Sequence, residues 1–467
     1  MLCEEALVFR QPDAFRNGFS EYLHDLPRKG ASHVVKPFSQ TLHESRAMIL
    51  HSGKKLPISG LSSTPNRCSD IKVYYAQPMY GEEEISAVVR SLRNPLSLVH
   101  GPCTSQMEEE VAKLFGKSFG IMVNSASSAN MLAVAILDLP PKSEVITPAL
   151  TFSTTVAPLV HQGLIPAFVD VELDTLNINP EKIERMITPA TRAMMIPNLI
   201  GNIPDWVMLR AIADRYGLMV IEDSADTVGS TYDGLPTGQL TDISTTSFYA
   251  THVITCAGSG GMLCLNNAEL ETHARIMSGW GRSSARFNES EEIEDRFDIM
   301  IDNIPYDRKF VFEAIGYNFL PLELMAAFGL VQLSKLPEFA WRRRENFKQL
   351  RDFFLTYEDW LILPWQHKMV DTLWLAFPLI IRDDAPFSRR DLQIYFEQQG
   401  IQTRVVFTGN ILRQPAFKSI SHRADPEGYP NADYIMRGGL LLGCHQGMKD
   451  EQVEYVKDTF KSFASRF

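Results

Sequence analysis

From Tyr74 onward, short apolar runs alternate with segments whose apolar residues recur at helical spacing. The runs FGIMV (119–123), EVITPAL (144–150), PAFVDV (166–171), RAMMIPNLI (192–200) and LMVIED (218–223) have the length of buried strands. SSANMLAVAILDL (127–139) and DWVMLRAIADRYG (205–217) separate them as helices, and EEEISAVVRSL (82–92) and SQMEEEVAKLFG (105–116) precede them. This alternation predicts right-handed crossovers and a mostly parallel sheet with helices on both faces, whose ligands bind at the carboxyl ends of the strands. Two more strands, ISTTSFY (243–249) and GGMLCLN (260–266), follow. The acidic stretch NESEEIEDRFD (288–298) reads as a solvated loop, and one helix is expected from about Leu322 to Tyr357. Beyond it LWLAFPLIIR, a helix around RRDLQIYFEQQG, the strand TRVVF and a last helix DEQVEYVKDTFKSF predict a smaller α+β domain. Residues 1–70 lack periodicity, and SGKKLPISGLSSTPNRCSD within them reads as a linker. The pattern divides the chain into an extension of unassigned role (1–70), a large α/β domain (71–345) and a small C-terminal domain (346–467), with no internal repeat.

Composition narrows what such a chain does. The 467 residues are 45% hydrophobic and 22% charged, an ordinary globular mix that argues against wholesale disorder. With 45 Lys+Arg against 56 Asp+Glu the net charge is −11, which speaks against a surface built for nucleic acid or anionic lipid. The six cysteines show no CxxC pair and no metal-finger spacing, as expected of reduced thiols and no metal site. MLCEEALVFRQPDAF has acids where a secretion signal needs a basic region, and no apolar run reaches membrane-spanning length, so a cytoplasmic location is expected.

Three segments at strand ends carry candidate chemistry. In VNSASSANML a strand gives way to a helix whose first amides suit either a bound phosphate or an ordinary serine cap. In VIEDSADTVG, Glu222, Asp223 and Asp226 stand at the mouth of the sheet, either to hold a cation or to cap the next turn. In SFYATHVITCAGSGGML, Ser247 ends a strand and His252 lies in a loop before a glycine-rich turn, as a solvated histidine or as a base.

The order of these segments resembles the fold-type I pyridoxal phosphate enzymes, and specifically the DegT-like sugar aminotransferase family. The resemblance covers about residues 72–467 and rests on NSASSAN, PALTFSTT, PNLIGN, IEDSAD, SFYATHVIT and GYNFLPLE. It implies the fold-type I transferase fold, in which a mostly parallel seven-stranded sheet is flanked by helices and followed by a smaller C-terminal α+β domain. It also implies a cofactor, pyridoxal phosphate or pyridoxamine phosphate. Backbone at Ala126 and Ser127, the Ser247 hydroxyl and Asn318 reaching across from a second subunit would hold the phosphate. Phe152 would stack on the ring, Asp223 would face the ring nitrogen, and Asp226 would contact the ring hydroxyl.

The family's cofactor lysine follows S-F-x-x-x, and here that position is His252, with no lysine between Lys182 and Lys309. The chain resembles the family's histidine-bearing branch, sugar 3-dehydratases acting on nucleotide-linked 4-keto-6-deoxyhexoses. Its CDP-sugar members carry a two-iron cluster on cysteines after W-G-R, whereas this chain has WGRSSARFNES, so no iron–sulfur cluster is expected. The cluster-free GDP-sugar members share YNFLPLE, QLSKLPEFAWRRRENF, FTGN and GCHQG. The resemblance implies glutamate as amino donor, His252 as general base, and a homodimer with shared active sites. Arg404 is a candidate for a donor carboxylate or nucleotide phosphates, or an ordinary surface arginine. The turn after His252, CAGSGG, is one residue longer than the family's G-E-G-G and lacks its acid. Alternatives are another lyase using the same cofactor, or a non-catalytic binding protein.

Overall fold

The computed structural model describes residues 71–94, 98–287 and 292–467. The 1–70 extension with its linker, and residues 288–291 of the acidic stretch, lie outside the described residues.

The strands β1 (Phe119–Val123), β2 (Glu144–Pro148), β3 (Ile165–Val169), β4 (Thr191–Pro197), β5 (Met219–Ser224), β6 (Ile243–Ser247) and β7 (Gly261–Leu265) form one sheet. Their order is β1-β7-β6-β5-β4-β2-β3. Pairing is parallel from β3 through β2, β4 and β5 to β6, while β7 runs antiparallel to both β6 and β1. The expected mostly parallel, seven-stranded α/β sheet is therefore present.

Helices cover both faces because the strands are apolar on both. On one face Val123, Val145, Met195 and Ile221 pack on Leu132 and Ala133 of α3 (Ala126–Ala135), a helix that follows α1 (Glu82–Leu92) and α2 (Pro102–Leu114). After α4 (Ser153–His161), the helix α5 (Trp206–Tyr216) covers the opposite face, where Ile146, Met194 and Val220 meet Trp206 and Leu209. Asp205 caps α5 by accepting from the Met208 amide, and Gly217 ends it in the left-handed region at φ 64°. The fully buried Trp206 satisfies its indole N–H on Asn198 Oδ1 at 2.9 Å.

Three expectations are corrected. The helix foreseen from Leu322 to Tyr357 is two helices, α6 (Glu323–Ser334) and α7 (Leu336–Phe354). Pro337 lacks an N–H and its ring opposes the carbonyl four residues back, so the chain restarts its helix there. Within the acidic stretch Ile293–Phe297 forms a short helix rather than a loop, and Arg296 pairs with Asp307. The strand expected over TRVVF is confined to Thr403–Arg404. That strand edges a four-stranded antiparallel sheet with Leu361–Ile362, Phe377–Ile381 and Gly439–Leu442, above a core of Phe354, Phe377, Phe396 and Phe460.

Candidate active site

Parallel pairing places the carboxyl ends of β4, β5 and β6 side by side, with Pro197 opposite Asp223 and Asp223 opposite Thr245. A cavity of about 380 Å³ opens there. It brings together Ala126, Ser127, Phe152, Asp223, Asp226, Ser247 and His252. Asn318 is not among the lining residues; its carbonyl accepts from Asn124 Nδ2 at 3.5 Å, just before α3.

The wall near α3 is built by close backbone approach. Ser125 caps α3, its hydroxyl accepting from the Ser128 amide at 3.2 Å, so the first-turn amides of Ala126 and Ser127 have no acceptor within the helix. Ser125 bridges to Gly260, and Ser247 lies in register with Gly261. A Cβ on Gly261 would meet Ser125 C at 2.4 Å and Ala126 N at 2.5 Å, so glycine is required for the α3 amides and the Ser247 hydroxyl to converge. The longer turn after His252 is accommodated by left-handed Ala257, Gly258 and Gly260, and Ser259 Oγ donates to Asn124 O at 2.7 Å.

Asp223, near the end of β5, meets α3 at Asn130, about one helical turn beyond Ala126. Its Oδ2 accepts from Asn130 Nδ2 at 2.8 Å and Thr155 Oγ1 at 2.9 Å, and its Oδ1 from the Ala225 amide at 3.1 Å. Burial raises its pKa, those hydrogen bonds oppose the rise, and the Glu222 charge adds to it. No cationic side chain pairs with it among the described residues. A buried carboxylate so oriented fits a protonated ring nitrogen, while the amides at Ala126 and Ser127 fit a phosphate. Phe152, half exposed, presents its ring to the same space, edge-on to Phe407 at 5.7 Å.

Glu222, by contrast, is turned away from the mouth where the sequence placed it. Successive strand residues face opposite sides, and Glu222 is fully buried beneath β5, accepting from Asn198 Nδ2, Ser224 Oγ and Ser244 Oγ at 2.7–2.8 Å. Asp226 does reach the cavity. Burial pushes its pKa up to about 7, the Ile200 amide opposing at 2.8 Å and Asp223 adding to the rise. Ile200 offers that amide from a left-handed conformation, φ 59°, which is strained for a β-branched residue.

His252 Nδ1 lies 2.5 Å from the Ala225 carbonyl oxygen. A carbonyl only accepts, so Nδ1 carries the proton and Nε2 is left with a free lone pair. Burial holds its pKa down at about 4; the Ala225 hydrogen bond opposes this and the Arg343 charge reinforces it. The imidazole is thus uncharged at neutral pH, its Nε2 unprotonated, with Tyr249 edge-on at 6.0 Å. Among the described residues no lysine lines the cavity. Arg404 is exposed and lies over the ring of Tyr75 at 5.2 Å, at the cavity's edge.

Sequence reasoning missed Asn130, Thr155 and Tyr75. Asn130 lies within the quoted NSASSAN, but a polar residue in mid-helix carries no signal until its partner across the sheet is known. Among the described residues no cluster of three or more His, Cys, Asp or Glu is arranged to hold a metal, and no helix is long and apolar enough to cross a membrane.

Comparison with known proteins agrees with this fold. The chain is 35% identical over 427 residues to dTDP-4-dehydro-2,6-dideoxy-D-glucose 3-dehydratase of Saccharopolyspora spinosa, covering 89% of this chain and 90% of that protein. It is 30% identical over 396 residues to GDP-4-keto-6-deoxy-D-mannose 3-dehydratase of Yersinia pseudotuberculosis, covering 83% of this chain and 97% of that protein. Among solved structures, E. coli GDP-4-keto-6-deoxy-D-mannose-3-dehydratase with bound hydrated PLP superposes with a TM-score of 0.76 at 28% identity, over 83% of this chain and 99% of that one. The profile of the DegT/DnrJ/EryC1/StrS aminotransferases matches residues 78–461, and with these relatives it establishes that the chain belongs to that family.

Proposed function

We propose that this protein is a pyridoxal-phosphate-dependent 3-dehydratase of a nucleotide-linked 4-keto-6-deoxyhexose, working as a homodimer with glutamate as amino donor. The observation that carries the proposal is His252: an imidazole with a committed Nδ1 and a free Nε2 on a cavity wall to which the described residues contribute no lysine. A lysine at that position would hold the cofactor covalently, as transamination requires; an imidazole can take a proton but cannot form that bond.

In this reading the amides of Ala126 and Ser127 and the hydroxyl of Ser247 hold the phosphate, Phe152 covers the ring, and Asp223 keeps the ring nitrogen protonated. When bound, the cofactor supplies an electron-withdrawing ring that stabilises negative charge developing beside it. His252 Nε2 takes the proton whose loss drives departure of the sugar's 3-hydroxyl, and the raised Asp226 carboxyl supplies a hydrogen-bond donor near neutral pH. Asn318 of one subunit completes the phosphate site of the other. The exposed Phe310, Phe312 and Ile315 just before it, the last 97% exposed, suit burial in a second copy.

Borohydride reduction of the cofactor-loaded protein tests the proposal. The expected chain mass after denaturation is that of the bare polypeptide. A stoichiometric pyridoxyl adduct on the chain would contradict a noncovalent cofactor.

A further inference from the structure

Arg343 of WRRRENF and Gln446 of GCHQG, 103 residues apart in sequence, meet beside the loop that carries His252. Arg343 of α7 is 1% exposed and forms no ion pair with a carboxylate among the described residues. Its hydrogen bonds go to neutral acceptors: Nε donates to Gln446 Oε1 at 2.8 Å, and Nη1 to the carbonyls of Trp374 and Leu375 at 2.9 and 3.2 Å. Burying a guanidinium without a counter-charge is costly, and an arginine kept in that state needs a reason beyond packing.

Two hydrogen-bond chains leading from it supply one. Gln446 Nε2 donates to the carbonyl of Val253 at 3.0 Å, the residue next to His252. On the other side the Leu375 amide donates to Ile200 O at 2.8 Å, and the Ile200 amide donates to Asp226 Oδ2 at 2.8 Å. One buried cation therefore anchors both the loop that carries the imidazole and the strained turn that holds Asp226.

We propose that Arg343 is a positioning residue for His252, bracing the imidazole's loop through Gln446 and biasing the ring toward its neutral, proton-accepting form by its own uncompensated charge. The proposal rests on His252 being the base. Burial lowers the pKa of Arg343 as well, yet arginine stays cationic at any working pH. The same charge depresses His445, the neighbour of Gln446, to about 4, after burial. The titratable groups around the imidazole are Asp223 and Asp226 from β5 and its following turn, Tyr75 from the segment before α1, Tyr249 from its own loop and Arg343 from α7. Burial raises the pKa of both carboxyls, which weakens their pull toward the imidazolium, and the charge of Arg343 opposes that pull. Cys444 and Tyr75, the groups beside Arg343, carry no charge at neutral pH because burial raises both.

The test uses full-length, cofactor-loaded protein with isotope-labelled histidine ring nitrogens, the His252 signal being assigned by its loss in His252→Asn. In the wild type the signal should report a neutral ring protonated at Nδ1, titrating at about 4. Arg343→Met should move that titration toward the ordinary histidine value of about 6.5, whereas Arg343→Lys should leave it low. Gln446→Met, which keeps the charge and cuts the brace, should lower kcat by about ten- to a hundredfold with KM for the sugar nucleotide unchanged. A His252 titration unmoved in Arg343→Met overturns the electrostatic role, and wild-type kcat in Gln446→Met overturns the bracing role. Should Arg343→Met fail to fold, Arg343→Lys and Gln446→Met decide: a raised titration in the first or full kcat in the second refutes the proposal. Wild-type turnover in His252→Asn would sink the base assignment instead, while the ring's titration still reports on Arg343.

Discussion

At His252 the exchange of an amine for an imidazole removes a covalent anchor and leaves a base, and the surrounding residues are arranged to keep that base unprotonated. His252→Asn should retain the cofactor, since Asp223, Ser247 and the α3 amides are untouched, and should lose turnover by about 10² to 10⁴, the usual contribution of a general base. Cofactor absorbance and steady-state rate measured on the same sample check both halves. A second residue-scale prediction concerns pH. His445 is buried and held down at about 4, with Nε2 bonded to the Tyr74 carbonyl at 3.1 Å. Its folded pKa lies below the unfolded value of about 6.5, so the unfolded chain binds the extra proton and stability is lost as pH falls from 6.5 toward 4. His252 acts in the same sense, and Asp226, raised to about 7, acts oppositely by costing stability as pH rises toward 7. His445→Gln should flatten the acid-side decline in denaturant-measured stability; an unchanged slope would contradict the assignment. The residues that the sequence brought to notice, Asp223, Ser247 and His252, stand at strand ends or in the loop that follows, where a motif marks them. Asn130 and Arg343 stayed invisible because their roles exist only once elements far apart in sequence pack together.

The site depends on how closely β7 approaches the start of α3. Gly261→Ala inserts a methyl within 2.5 Å of Ser125 and Ala126 backbone atoms, which are not free to give way. The helix start must shift, so the variant should lose cofactor affinity by at least tenfold while keeping its far-ultraviolet dichroism; equilibrium binding of pyridoxal phosphate measures this. Most strands and helices were legible because their apolar periodicity is strong, as in FGIMV and EEEISAVVRSL. The break between α6 and α7 was not, because apolar residues recur at helical spacing straight across Lys335 and only Pro337 marks the restart. The helix α4 was hidden for a related reason: Pro158 inside STTVAPLVH argues against a helix, and only burial of Val156 and Leu159 against the sheet offsets that. Glu222 was misplaced because alternation along β5, not composition, decides which carboxylate faces the cavity.

At the scale of the whole molecule, the proposed function needs a mostly parallel sheet, a cavity at its carboxyl edge and a second copy that would complete the phosphate site through Asn318. Ile315→Asp should weaken self-association and, with it, cofactor retention; sedimentation and absorbance followed on dilution report both. The measurement that bears most directly on the central claim is the mass of the sugar product. The protein, loaded with pyridoxal phosphate and supplied with glutamate, is incubated with GDP-, CDP- and dTDP-linked 4-keto-6-deoxyhexoses, and ammonia is assayed alongside. For one of these, the expected product is lighter by one oxygen atom and still carries its keto group, with ammonia and 2-oxoglutarate released. A product of unchanged oxygenation at the 3-position that carries an amino group in place of the keto oxygen, with no ammonia released, would show transamination and contradict the central claim.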